Sequence, residues 1–220
     1  MRSCESLSLM IGQQSVLTHI SCTIRSGEIV VACGDHESGK TALLHALAGD
    51  IQACRSQVRH QGQALVATPA QVVLSQRPAT PTDQTVSDVI GDLGQVTEFE
   101  IDGLSKRPVR TLSRGERRWV ELAQAWAQIR QTNDKLILFL DEPLQGLDQR
   151  KRALILDLIQ QSKSEGMAVL IALNDLAVAK QIADRVLLLK SGQMLAQGAP
   201  DQVLTPTLLQ AAFETDVLSS

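Results

Sequence analysis

The stretch 29-IVVACGDHESGKTALLHALAG-49 decides the fold. It opens with an unbroken apolar run, residues 29–33, which reads as a strand buried on both faces. Residues 40–48 are rich in helix formers and stop at Gly49, so the spacing predicts a helix there. Between strand and helix lies 34-GDHESGKT-41, with the spacing G-x-x-x-x-G-K-T. In that context the segment is a phosphate-binding loop, because its backbone N–H groups and the helix N-terminus converge on an anion. Gly34 and Gly39 supply backbone shapes that a Cβ would obstruct. Lys40 reaches the outer phosphates, and the Thr41 hydroxyl is placed to ligate Mg²⁺. Two acids, Asp35 and Glu37, sit in a loop meant for an anion. If main-chain amides hold the phosphate, those side chains are free to point outward.

Working outward, the sequence alternates between two periods. Short strands are expected at 7–11 and 20–24, and strand-like stretches at 57–65 and 72–75. Residues 77–111 carry Pro78, Pro81 and Pro108 and only weak helical pattern near 85–93. Apolar residues persist through them, so they read as part of a small inserted subdomain. A long helix is expected from 113, with Trp119, Leu122, Ala123, Trp126 and Ile129 on one face. The apolar runs 136–140, 168–173 and 186–189 alternate with expected helices at 149–166 and about 175–184. Continuous rather than alternating apolar strands, interleaved with helices, predict an α/β fold with a mostly parallel sheet covered on both faces.

Composition narrows the function classes. The chain has 220 residues and a net charge of −3, which gives no support for a nucleic-acid partner. Cys4, Cys22, Cys33 and Cys54 include no C-x-x-C pair, so they read as reduced, small apolar residues. The first dozen residues lack the apolar core of a signal peptide, and no stretch approaches the roughly 18 apolar residues of a membrane span. Any membrane role is expected to run through a partner.

Two further elements bear on chemistry. The run 136-LILFLDEP-143 ends in adjacent acids, which an open parallel sheet places at its ligand-binding edge. Asp141 is the candidate Mg²⁺ ligand, and Glu142 the candidate general base for an attacking water. Taken alone, the same residues read equally well as a strand ending in an acidic helix cap. The second element, 112-LSRGE-116, opens the long helix. Ser113 and Glu116 have the spacing of a capping box, which would suffice to explain both.

The order of motifs, however, resembles one family. A phosphate loop, then Gln76 after a strand, then LSRGE, then LILFLDEP, then 146-GLD-148 is similar to the ATP-binding subunit of an ABC transporter, over about residues 7–213. The resemblance implies a P-loop ATPase fold with an N-terminal antiparallel part and a shortened helical subdomain at 77–130 within a single 1–220 domain. It implies a head-to-tail homodimer in which Ser113, Gly115 and Glu116 of one subunit face the ATP held by residues 34–41 of the other. It assigns Gln76 to Mg²⁺ and the attacking water, Asp148 to the loop between the two sites, and Asn174 to the γ-phosphate. It also implies integral membrane permease subunits as partners at the cytoplasmic face of a bacterial inner membrane, with an external substrate-binding protein acting indirectly. The segments 130–135, 184–193 and 193–213 resemble importer ATPases for haem, siderophore iron and vitamin B12, with haem preferred. A weakly hydrolysing regulatory subunit and a haem exporter for cytochrome maturation are the alternatives.

Four departures from that pattern matter. Asn174 stands where the family carries His, which predicts slower hydrolysis. Arg114 replaces a signature Gly and is expected to face solvent. Met10 and Ile11 occupy the region where the family stacks an aromatic residue on adenine, which predicts weak base selectivity. The segments 62–76 and 77–111 are both trimmed. His36, within the phosphate loop, is expected to offset the two acids when protonated.

Overall fold

The computed structural model describes residues 1–65, 71–74, 82–131 and 137–213. The chain begins with a long hairpin, β1 (Arg2–Ile11) and β2 (Gln14–Ile24), which continues into β3 (Ile29–Gly34) and α1 (Lys40–Ala48). The strands expected at 7–11 and 20–24 are thus the ends of much longer ones. The β1–β2 register shifts near Cys4–Leu7 and Leu7–Met10, and Ser6 and His19 adopt left-handed φ of 53° and 51°. These bulges interrupt the in–out alternation that sequence periodicity needs. A 3₁₀ turn (Gln52–Gln57) leads to a second, short hairpin of β4 (Val58–His60) and β5 (Gln63–Ala64), where one strand-like stretch was expected. Together these four strands form an antiparallel sheet in the order β2-β1-β4-β5.

The second sheet is the frame of the molecule. It adds β6 (Gln71–Leu74), β7 (Ile137–Asp141), β8 (Ala168–Ala172), β9 (Arg185–Lys190) and β10 (Gln193–Gly198) to β3. Its order is β10-β9-β3-β8-β7-β6, parallel throughout except that β10 runs antiparallel to β9. Parallel register brings the C-terminal ends of β3, β7 and β8 to one edge. The central strands β3, β7 and β8 are buried along their whole length. Alternate residues divide between two cores. Val31, Cys33, Leu138, Leu140, Val169 and Ile171 face one, while Val30, Ala32, Phe139, Leu170 and Leu187 face the other with α1 and the antiparallel sheet.

Residues 82–131 carry α2 (Val86–Ile90), 3₁₀ turns, and α3 (Arg114–Gln131). All five residues of the expected apolar face of α3 are buried. Trp119 and Trp126 pack on Phe99 with ring centroids 4.8 and 6.3 Å away, and Trp119 Nε1 donates to the Phe99 carbonyl at 2.8 Å. Three of the chain's five aromatic side chains therefore pin the preceding 3₁₀ segment to α3. The remaining helices are α4 (Gln149–Ser164), α5 (Leu176–Ile182), α6 (Pro200–Val203) and α7 (Pro206–Phe213). Among the described residues no helix is long and apolar enough to cross a membrane. All four cysteines are free and buried.

Candidate functional site

At the C-terminal edge of β3 the chain turns into residues 34–41, and the sterics of that turn are strict. A Cβ on Gly34 would stand 2.2 Å from the Leu189 carbonyl oxygen of neighbouring β9. One on Gly39, at φ 99°, would stand 2.9 Å from a Leu17 methyl. Gly34 is therefore required by space, and Gly39 first by its left-handed backbone conformation. Lys40 folds back over the loop and is buried. Its ammonium donates to the carbonyls of Gly34 and Asp35 at 2.9 and 2.7 Å and to Ser38 Oγ at 3.2 Å. Burial lowers its pKa, while Glu142, Cys33, Asp141 and Asp35 work to raise it.

The two acids in the loop behave differently from each other. Glu37 is exposed, at a left-handed φ of 63°. Asp35 does not simply point away: its Oδ1 accepts the N–H of His36 at 2.7 Å. His36 is exposed at the mouth of the same cleft.

Parallel register carries the ends of β7 and β8 to this loop. Asp141 is 1% exposed, and the Thr41 hydroxyl hydrogen-bonds its carboxylate. Desolvation raises its pKa above the ordinary carboxylate range, against the pull of Thr41, His45, Arg118 and Lys40. Glu142 follows at a left-handed φ of 46°, with its N–H donating to the Ala172 carbonyl at 3.0 Å. Burial raises its pKa too, opposed first by Lys40. Asp141 Oδ2 and Glu142 Oε1 are buried with no hydrogen-bond partner. Two unpartnered carboxylate oxygens beside a buried ammonium leave acceptors free to take a cation or a donor.

Asn174 lines the cleft with an exposed side chain, while its main-chain N–H bonds the Glu142 carboxylate. It does not cap α5; Asp175 does, accepting the Val178 N–H at 3.1 Å. The cleft has a volume of about 950 Å³. Its outer wall is formed by Ile11, Gln14, Val16, Ser191, Gly192 and Ala212, so the β1–β2 turn and α7 both border it. It is large enough for a nucleoside triphosphate.

The structure thus gathers Gly34, Asp35, His36, Glu37, Ser38, Gly39, Lys40, Thr41, Asp141, Glu142 and Asn174 around one cleft. It does not bring Ser113, Gly115, Glu116 or Asp148 there. Ser113 and Glu116 close the expected capping box: Ser113 N–H donates to Glu116 Oε2 at 2.8 Å and Glu116 N–H to Ser113 Oγ at 3.2 Å. Glu116 is also paired with Arg107 at 2.8 Å, and its hydrogen bonds with Ser113 hold its carboxyl below the usual range. Arg114 is exposed, as expected. Asp148 is exposed and caps α4 through the Lys151 N–H at 2.9 Å. Gln76 lies outside the described residues.

Among the contributors that sequence reading missed are three on helices. His45, one helical turn beyond Thr41, lines the cleft paired with Asp50 at 2.7 Å. Arg118 donates to the carbonyls of Asp141 and Glu142. Ala212 comes from α7. Only His45 carried a local signal, the i, i+4 spacing from Thr41.

The family model described as ABC transporter matches residues 17–145, more than half of the chain. The chain belongs to the ABC transporter family. It is similar to the hemin import ATP-binding protein HmuV of Pseudomonas entomophila, at 34% identity over 97% of this chain and 92% of that protein. The protein of the same name from Streptomyces coelicolor is 32% identical over 96% and 82%. A solved ATP-binding subunit of an ABC transporter shares the fold, with a TM-score of 0.81 at 20% identity over 96% of this chain and 95% of that one. An ABC ATPase fold, nucleotide binding and ATP hydrolysis follow from family membership. The antiparallel sheet beside a mostly parallel one is the expected α/β architecture.

Proposed function

We propose that this chain hydrolyses ATP in a head-to-tail homodimer and drives haem import through separate membrane permease subunits. Relatives named for hemin import match nearly the whole chain, which supports haem over other cargo. The permease places the chain at the cytoplasmic face of the bacterial inner membrane, and a substrate-binding protein outside delivers cargo to the permease. The chain is read as one domain, 1–220, with 77–130 as its helical subdomain.

The observation that carries the catalytic reading is the pair of orphaned oxygens on Asp141 and Glu142 next to Lys40. Buried carboxylate oxygens are normally paired, and two unpaired ones on adjacent residues lining one cleft point to a role beyond packing. A hard cation with oxygen ligands fits there: Mg²⁺ takes one or two carboxylates and completes its shell with phosphate and water. Thr41, Asp141 and, by resemblance, Gln76 would hold it, and it would offset charge on the phosphates.

The chain's own residues do the rest. Loop amides and Lys40 hold the β- and γ-phosphates. Glu142, made more basic by burial, accepts the proton of the attacking water. The Asn174 N–H fixes that carboxylate, and its side-chain amide donates to a γ-phosphate oxygen. Ser113 and the Gly115 backbone cap the γ-phosphate of the partner subunit's ATP, Glu116 holds their turn in shape, and Asp148 lines the path between the two sites. This arrangement argues against a weakly hydrolysing regulatory subunit, in which the acids would not need to stay buried and unpaired.

The test is Glu142→Gln in the full chain, co-expressed with its permease. Expected are retained ATP binding and membrane co-purification, with steady-state hydrolysis reduced about a thousandfold. Wild-type turnover in that variant would overturn the assignment of Glu142. Failure of wild-type chain to co-purify with membranes would overturn the transport reading.

A further inference from the structure

Arg118 sits one turn beyond Ser113–Gly115 on α3, with its side chain only 13% exposed. Its guanidinium points away from the helix axis toward the end of β7. Nη2 donates to the Asp141 carbonyl at 2.8 Å and to the Glu142 carbonyl at 3.2 Å. Nη1 pairs with Glu121 at 3.5 Å. Arg118 is not among the residues that line the cleft.

Its two acceptors lie where the backbone does something unusual. Glu142 adopts a left-handed φ of 46°, a conformation in which a side chain with a Cβ is strained and which persists only when its surroundings enforce it. The Glu142 N–H is held by the Ala172 carbonyl on β8, and the Glu142 carbonyl also accepts the Gln145 N–H at 3.2 Å. Arg118 reaches this peptide from outside the sheet and its following turn. A guanidinium suits the task, since one planar group can donate to two successive carbonyls while remaining ionised. Burial lowers the Arg118 pKa, but Glu121, Asp141 and Glu142 all act to keep it charged.

We propose that Arg118 is a positioning residue for hydrolysis: its two main-chain hydrogen bonds hold Glu142 in the left-handed turn that aims its carboxylate into the cleft, and they tie that aim to α3. The turn of Ser113 and Gly115 lies on the same helix, so a shift of α3 is felt at the carbonyls of Asp141 and Glu142 without any contact with nucleotide. This rests on the reading of Glu142 as the proton acceptor.

The experiment compares Arg118→Met, Arg118→Lys, Glu121→Gln and Glu142→Gln in the purified full chain. It measures steady-state ATPase against ATP concentration, equilibrium binding of a non-hydrolysable ATP analogue, and a thermal melt. Arg118→Met is expected to lower kcat about a hundredfold, the cost of a small misplacement of a reacting group, with KM and analogue affinity within about twofold of wild type. Arg118→Lys, which retains one donor, is expected to recover at least about tenfold of that loss. Glu121→Gln, which keeps both carbonyl bonds, is expected to hydrolyse at close to the wild-type rate. A wild-type kcat in Arg118→Met while Glu142→Gln is inactive overturns the positioning role and leaves Glu142 in place. Equal losses in Arg118→Met and Arg118→Lys, or a loss of analogue binding that matches the loss of rate, also overturn it. Full activity in Glu142→Gln overturns the underlying reading instead. If Arg118→Met does not fold, the Lys and Glu121→Gln comparison decides by the same split of kcat from KM.

Discussion

Gly115→Ala separates what the chain needs in order to fold from what it needs in order to work. Gly115 lies in the first turn of α3, and its φ is not in the left-handed region. A Cβ placed there meets no atom within 4 Å. Nothing among the described residues therefore asks for glycine, in contrast with Gly34, where a Cβ would collide with a β9 carbonyl 2.2 Å away. Alanine favours helix over glycine by up to about 1 kcal/mol in a helix interior, and less in a first turn. About 0.5 kcal/mol of stabilisation is expected, or about 1–2 °C in Tm for a domain of this size. If the Gly115 backbone closes on the partner subunit's nucleotide, the added methyl stands in the gap. Losing one well-placed donor to a developing oxyanion costs about a hundredfold in rate. Differential scanning calorimetry and steady-state ATPase on one preparation check both numbers. A variant with raised Tm and unchanged ATPase would refute the role of the Ser113–Glu116 turn in trans. A variant with lowered Tm and a parallel loss of activity would show that glycine there serves the fold.

Four other outcomes are expected. Asp35→Ala removes a negative charge and frees the His36 N–H it occupies, so nucleotide affinity should rise several-fold by equilibrium titration, about 1 kcal/mol. Ile11, 62% exposed on the cleft wall, offers no ring to stack on a base. ATP and GTP should therefore compete with similar affinities, and Ile11→Tyr should tighten ATP binding by about 0.5–1.5 kcal/mol. Asn174→His should raise the steady-state rate while leaving the Glu142 contact intact, because that contact uses the Asn174 main chain. Asp50 raises the pKa of His45 by hydrogen bonding, so the folded state binds that proton more tightly than the unfolded state. The resulting stability is complete below the unfolded imidazole value near about 6.5 and is lost as pH rises through the raised folded value. Asp50→Asn should thus lower Tm at pH 5.5 and have little effect at pH 9, with the effect kept below about 1 kcal/mol by the partial exposure of the pair.

How much of this was legible in the sequence depends on how local each feature is. The loop from Gly34 to Thr41, the capping box of Ser113 and Glu116, and the apolar face of α3 are set by spacings of a few residues, and all are found where the spacing puts them. The β1–β2 hairpin was read too short because its bulges break a period-2 pattern without breaking the strands. What no local pattern states is which side chains meet across the sheet. Thr41 reaches Asp141, and the Asn174 N–H reaches Glu142, only because β3, β8 and β7 lie side by side in parallel register. Arg118 was invisible for the same reason, since an arginine on a helix flank looks solvated until the strand end opposite it is known.

The acids in the phosphate loop show the limit most clearly. The expectation that both would point outward treats a loop side chain as a through-space charge. For Glu37 that holds. Asp35 instead turns onto the next amide, as Asp does wherever a turn leaves a main-chain donor within reach. The carboxylate thus takes up one of the amides that a bound anion would use. Lys40, meanwhile, draws the Gly34 and Asp35 carbonyls toward its ammonium, which sets the orientation of the peptides around them. The loop is thereby held in shape by its own charged side chains, and a phosphate entering it must displace Asp35 from the His36 N–H before it gains that donor. Its affinity is set by that competition as much as by the number of amides the motif provides.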